Sequence, residues 1–256
     1  MNAASITRGA CSVARVGFFL FGLGAAAWGA YAFASTQRDE PVERAASEIL
    51  KGRDFQSPTL LKLLARSDSM IDRPICSPGA LHAAASLRVA LVKYETADGK
   101  APTDDAYFEL YHSVQAALRC SPSDAFMWVL LFWLDARRDG VTSKNSEFLQ
   151  MSYASGPNEG WIGFWRVQVA LPLLDRLSDR LSENAIDDFI KLLNTRVLYN
   201  DLAAIVASET PGIQRRVIAS LKETDPVIRQ GFAAALRAKG VDVAIPGVQT
   251  PDRPWH

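Results

Sequence analysis

The chain has 256 residues, and its 28 basic and 28 acidic side chains cancel to a net charge of zero. With no block of like charge, this composition excludes nucleic acid as an expected partner. The roughly 200 residues beyond the N-terminal segment suffice for one domain with a sizeable core.

Between Arg15 and Arg38 the chain carries no charge. As a helix, those roughly 22 positions span about 33 Å, the thickness of a bilayer's hydrocarbon core. Residues 1–15 are read as a short cytoplasmic leader and 16–35 as a transmembrane signal anchor, with Trp28, Tyr31 and Phe33 at the interfacial belt. A cleaved signal peptide is the alternative: Arg8 and Arg15 supply a basic start, and Ala32-Phe33-Ala34 a small-x-small exit. The flanking arginines nearly balance (Arg8 and Arg15 against Arg38 and Arg44), and the short leader tips the orientation toward N-inside, with the bulk exported. Within the span, Gly22, Ala26 and Ala30 repeat every four residues, a spacing that permits close helix–helix contact and a homodimer through the anchor. Residues 36–54 are polar and are read as a charged linker.

Helices are expected over 78–94 and 103–119, joined by the turn-rich stretch around Gly99 and Pro102. If they pair antiparallel, the start of the first and the end of the second meet, bringing Cys76 and Cys120 together, each opening a Cys-Ser-Pro triplet. A disulfide there closes a loop of about 45 residues, adds a few kcal/mol, and requires an oxidising compartment. Two buried free thiols are the alternative.

The remainder is helical by pattern. Helices open at Ser121-Pro122-Ser123-Asp124, Ser143, Pro157-Asn158-Glu159 and Ser182, and close at Gly140, Gly156 and Gly240. Phe126, Trp128, Phe132 and Trp133 surround one helix, which should be the buried centre. Alternating strand patterns are nearly absent, the one candidate being 241–248. The expected fold is therefore all-α: one N-terminal transmembrane helix, then eight or nine short helices over 55–240, and an extended Pro-rich tail over 241–256.

Side chains able to carry chemistry are sparse. Glu109-x-x-His112 has the spacing of a di-iron ligand pair, but His82 lacks the matching acid, so no metal is expected. There is no nucleophile elbow, Gly-rich phosphate loop or His-Glu-x-x-His, and no cofactor is expected. Asp104-Asp105 and Asp187-Asp188 are read as acids near helix starts, favourable to the macrodipole. The most distinctive surface candidate is Asn158, Glu159, Trp161, Trp165 and Arg166, where two tryptophans one turn apart share a face and could bind a peptide or a sugar. Ordinary packing of those aromatics is the competing reading.

The unit from Pro122 through Trp128 and Gly140 to Gly156-Pro157, with Pro122 and Pro157 35 residues apart and an aromatic early in each following helix, resembles a tetratricopeptide repeat. Its Gly-Pro-Asn-Glu-Gly-Trp stretch, after Asp-Ala-Phe-Met-Trp, is similar to membrane-anchored bacterial envelope proteins with degenerate repeats of this kind, some linked to exopolysaccharide or O-antigen assembly. That resemblance implies a helical-repeat array in the periplasm, held at the inner membrane, acting as a non-enzymatic adaptor or scaffold for a protein partner. An envelope glycan-acting hydrolase or glycan-binding protein using Glu159 and Trp161 is the alternative.

Overall fold

In the computed structural model every regular element is helical, and no strand occurs among the described residues. Described are residues 3–50, 53, 57–71, 73, 75–97, 99 and 101–248, with side chains from residue 15 on, except at 35, 36, 57 and 97. Arg8 and Cys11, and the tail beyond 248 with Pro251 and Pro254, thus lie outside the described side chains. The chain divides into two compact units, Met1–Pro102 and Thr103–His256, where one domain over 55–240 was expected.

The first unit holds α1 (Ala3–Leu50), α2 (Ser57–Ile71) and α3 (Pro78–Ala97). The apolar part of α1 is long enough to cross a membrane and none of it is buried. Phe18 and Phe21 are 78% and 76% exposed. Gly22, Ala26 and Ala30 share this exposure, and nothing packs on Gly22.

The same helix then runs on through the polar region. Val42, Ala45, Ala46 and Ile49 are spaced i, i+3, i+4, i+7 and face one way. They pack on Leu60 and Leu64 of α2 and on Ala80, Ala83 and Leu87 of α3. Residues 36–50 are therefore not a linker. The charges of this stretch lie mostly on the outer face of a helix whose inner face builds the core. Asp39 is the buried exception, held by Arg73, whose Nη1 donates to both carboxylate oxygens at 2.8 and 2.7 Å.

The second unit contains α4 (Asp104–Cys120), α5 (Ala125–Asp139), α6 (Ser143–Ser155), α7 (Gly160–Ala170), α8 (Asp179–Asn194), α9 (Tyr199–Ala207), α10 (Pro211–Ser220) and α11 (Pro226–Ala238). Side-chain caps fix many starts: Thr103 Oγ1 accepts from the Ala106 amide at 3.1 Å, and Thr142 and Asn145 form a reciprocal capping box. Gly140 ends α5 at φ 73°, a left-handed conformation that suits glycine. Pro172 stops α7, and a 3-10 turn over Leu171–Leu173 follows.

α5 is the buried centre of this unit. Phe126 and Phe132 are fully buried, and α5 packs against α4, α6 and α7. Trp128 lies half-buried beside Phe148, its indole N–H donating to the Pro122 carbonyl at 2.7 Å. α8 opens at Asp179 after Ser178, three residues before the expected Ser182. Ser182 is buried inside the helix, its hydroxyl donating to the Leu174 carbonyl at 3.0 Å. Residues 241–248 form neither strand nor extended tail. Ile245 is buried, and Arg229 Nη1 of α11 donates to the Pro246 carbonyl at 2.7 Å.

Candidate functional site

The α6–α7 junction gathers the five residues that sequence pointed to, but in two layers. Asn158 and Glu159 lie exposed in the turn, and Trp161 opens α7 at 41% exposure. The Trp161 indole N–H donates to Glu159 Oε2 at 3.0 Å. Trp161 and Trp165, one turn apart, lie on either side of the buried Phe126 ring, with centroids at 5.1 and 5.2 Å. Both are thus anchored by packing, and Trp161 keeps an open edge.

Arg166 belongs to the layer below. It is fully buried, so it is a positioning residue rather than part of an exposed platform. One position along a helix turns the side chain by about 100°, which sends Arg166 inward while Trp165 stays at the Phe126 face. Its Nε donates to Asp188 Oδ2 of α8 at 2.7 Å. Its Nη1 donates to the Gly156 and Ser152 carbonyls at 3.0 and 3.3 Å, occupying acceptors at the end of α6. The guanidinium also lies 4.5 Å from the Tyr153 ring centroid.

Gly156 permits this closure. A Cβ there would stand 2.8 Å from the Ala125 Cβ. Burial pushes the Asp188 carboxyl above the ordinary range, while the bonded Arg166 pulls against it. Burial also pushes the Tyr153 hydroxyl up, and this hydroxyl has no hydrogen-bond partner among the described residues.

Asp187 and Asp188 lie well inside α8, not at its start. Asp187 faces outward and pairs with Lys191 at 2.7 Å, while Asp188 faces Arg166. Asp188 falls on the apolar stripe Leu181, Ala185, Leu192, a placement that the 3- and 4-residue spacing alone carries. A cavity of about 180 Å³ opens above the pair, rimmed by Asn158, Glu159, Lys191 and Thr195.

A larger concavity lies between α4 and α5, where sequence gave no warning. It encloses about 750 Å³ and is lined by Asp104, Tyr107, Phe108, Tyr111, Leu134, Arg137 and Arg138. Phe108 is 66% exposed, the largest apolar side chain open on α4. The Arg137 guanidinium stands 4.1 Å from the Tyr107 ring centroid, and no carboxylate pairs with it among the described residues. Arg138 is held by Asp139 at 2.8 Å and Asp135 at 3.4 Å, beside the Tyr111 ring. An exposed phenylalanine beside two half-buried tyrosines and an arginine is a set of side-chain types common in protein recognition.

Cys76, just before α3, and Cys120, the last residue of α4, are each disulfide-bonded. Glu109 and His112 are exposed, and no group of three metal-ligating side chains occurs among the described residues. No protein-family model, curated protein or solved structure matches the chain.

Proposed function

We propose that this protein is a non-enzymatic, membrane-anchored adaptor whose helical domain, exported to the periplasmic side of a bacterial inner membrane, binds a protein partner. The observation that carries the reading is the α4–α5 groove, where Phe108 is open to solvent and Arg137, with Asp104 also on the lining, has no ion-pair partner among the described residues. The fitting occupant is a partner segment with an apolar or aromatic side chain beside an acid. The uninterrupted helix through Ala32-Phe33-Ala34 supports an uncleaved anchor. The disulfide supports export. The antiparallel α5–α6 pair with α7 packed on α5 supports a TPR-like array, and the resemblance supplies envelope polysaccharide assembly as the setting. The exposed Gly22, Ala26 and Ala30 face leaves room for a homodimer through the anchor.

A glycan-binding reading draws on the open edge of Trp161 and the cavity beneath Glu159. The two are separated by placing a photo-crosslinking residue at Phe108 or at Trp161 in the membrane-bound chain. On the adaptor reading, position 108 gives discrete protein adducts that Arg137→Glu abolishes, while Glu159→Ala leaves them intact. Adducts insensitive to Arg137→Glu, or none at position 108, refute the groove.

A further inference from the structure

A second basic concavity lies in the first unit, at the point where α1 turns from apolar to polar. It encloses about 600 Å³ and is lined by Tyr31, Ala34, Arg38, Arg66, Ser69 and Arg73. Three guanidinium groups on its wall face one carboxylate, Asp39, which is buried and already held by Arg73. Arg73 also donates through Nε to the Ser69 carbonyl at 3.2 Å, so its fork is fixed from two sides. Arg66 donates through Nη2 to the Arg38 carbonyl at 2.8 Å, leaving its other donors to the cavity. Neither Arg38 nor Arg66 pairs with a carboxylate among the described residues.

Among the described residues, two neighbouring acids are engaged elsewhere. Glu40 is bonded to Arg44, and Asp68 to Arg88. What remains is an excess of positive charge and planar N–H donors in a recess, the arrangement that holds a phosphate.

Its position selects the source of that phosphate. Trp28 and Tyr31, with ring centroids 6.1 Å apart, form an aromatic pair on the exposed helix, where an interfacial belt sits. Arg38 follows Tyr31 by about 10 Å of helix, the depth of a headgroup layer. Tyr31 and Ala34 form the cavity's apolar edge on the membrane side, and the arginines its polar edge beyond.

We propose that this recess binds the phosphodiester headgroup of an anionic phospholipid, with Arg38 and Arg66 as its principal donors and Tyr31 against the glycerol and upper acyl region. The proposal rests on α1 crossing the bilayer. It does not depend on the orientation of the span or on the partner groove.

The test is native mass spectrometry of the full chain in mild detergent, titrated with phosphatidylglycerol or with phosphatidylcholine. The variants are Arg38→Gln/Arg66→Gln, which leaves the buried Arg73–Asp39 pair untouched, and Arg119→Gln/Arg215→Gln as a charge-matched control on α4 and α10. Each near-surface arginine contributes about fivefold to anionic lipid affinity, so the double variant should lose about 25-fold of the preference for phosphatidylglycerol. The control should lose none. Equal occupancy by the two lipids, or a preference that survives the double variant, overturns the site. Displacement of phosphatidylglycerol by millimolar inorganic phosphate overturns the lipid assignment in favour of free phosphate. Alkaline carbonate extraction of membranes runs in parallel: release of the wild-type chain refutes the membrane-spanning reading and the proposal with it. Retention of chains that show no lipid preference refutes the headgroup site alone.

Discussion

Replacing Arg166 with Met removes the only cation bonded to Asp188 among the described residues and leaves that carboxylate buried between α7 and α8. Breaking a buried pair from one side costs about 3–5 kcal/mol. Protonation limits the loss: neutralising an aspartate whose ordinary pKa is about 3.9 costs about 4 kcal/mol at pH 7 and about 1.5 kcal/mol at pH 5. The Gly156 carbonyl also loses its donor, a pH-independent cost of about 1–3 kcal/mol, whereas the Ser152 carbonyl keeps the Gly156 N–H at 3.2 Å. Each kcal/mol corresponds to about 2–4 °C in a unit of this size.

The variant should therefore melt about 10–20 °C below the parent at pH 7.5, and the gap should narrow by about half at pH 5. Full-length protein in mild detergent is followed by the emission of its six tryptophans, of which Trp161 and Trp165 lie in this region. The double variant Arg166→Met/Asp188→Leu should recover most of the pH-dependent part, because no charge is left buried. A single variant within about 2 °C of the parent, or a gap of equal size at both pH values, would refute the reasoning.

The Tyr153 hydroxyl is buried without a hydrogen-bond partner, so Tyr153→Phe should be neutral or stabilising by up to about 1 kcal/mol. Its pKa is raised above the ordinary value of about 10, so the folded state keeps a proton that the unfolded state releases, and stability falls as pH rises beyond 10. Alkaline melts of Tyr153→Phe should lack that part of the fall; an unchanged slope contradicts it. In intact cells, Cys76 and Cys120 should resist alkylation until the protein is denatured and reduced, as mass spectrometry of the peptides would show. Ready labelling without reduction contradicts both the bond and export.

The helical class, the position of the apolar span, the central place of α5 and the ends of α3 and α4 were legible because each rests on local signals: caps, glycines and 3.6-residue periodicity. The inner face of 36–50 was equally local, yet it was hidden by composition. Eight charges in and around that stretch drew attention away from Val42, Ala45, Ala46 and Ile49, whose spacing alone marks a buried stripe. Arg166 and Asp188 were hidden for a different reason. The spacing of α8 does place Asp188 on its apolar stripe, but its partner lies 22 residues away on another helix, and no local pattern says that Arg166 turns inward to meet it. The α4–α5 groove is of the same kind: Phe108 and Arg137 look unremarkable in their own helices, and only packing places one beside the other.

The continuity of α1 changes what the first unit can do at a membrane. A flexible linker of about 19 residues would let the domain wander over about 25 Å from its anchor. A helix instead fixes Val42, eight residues past Ala34, at about 12 Å from the end of the apolar segment. Where the apolar segment spans a bilayer as proposed, the α1–α2–α3 core lies directly against the headgroup layer, and Arg66 of α2 and Arg73 just beyond α2 line the same recess as Arg38. The buried Asp39–Arg73 pair strengthens this arrangement, because it ties α1 to the segment just after α2 through a bond that is costly to break from either side. Severing it with Asp39→Ala would strand the Arg73 guanidinium, loosen α2 from α1, and degrade the headgroup recess without touching Arg38 or Arg66. The apolar segment and the core are thus joined by one continuous helix, and on the membrane-spanning reading whatever the first unit engages is engaged at a fixed height above the bilayer.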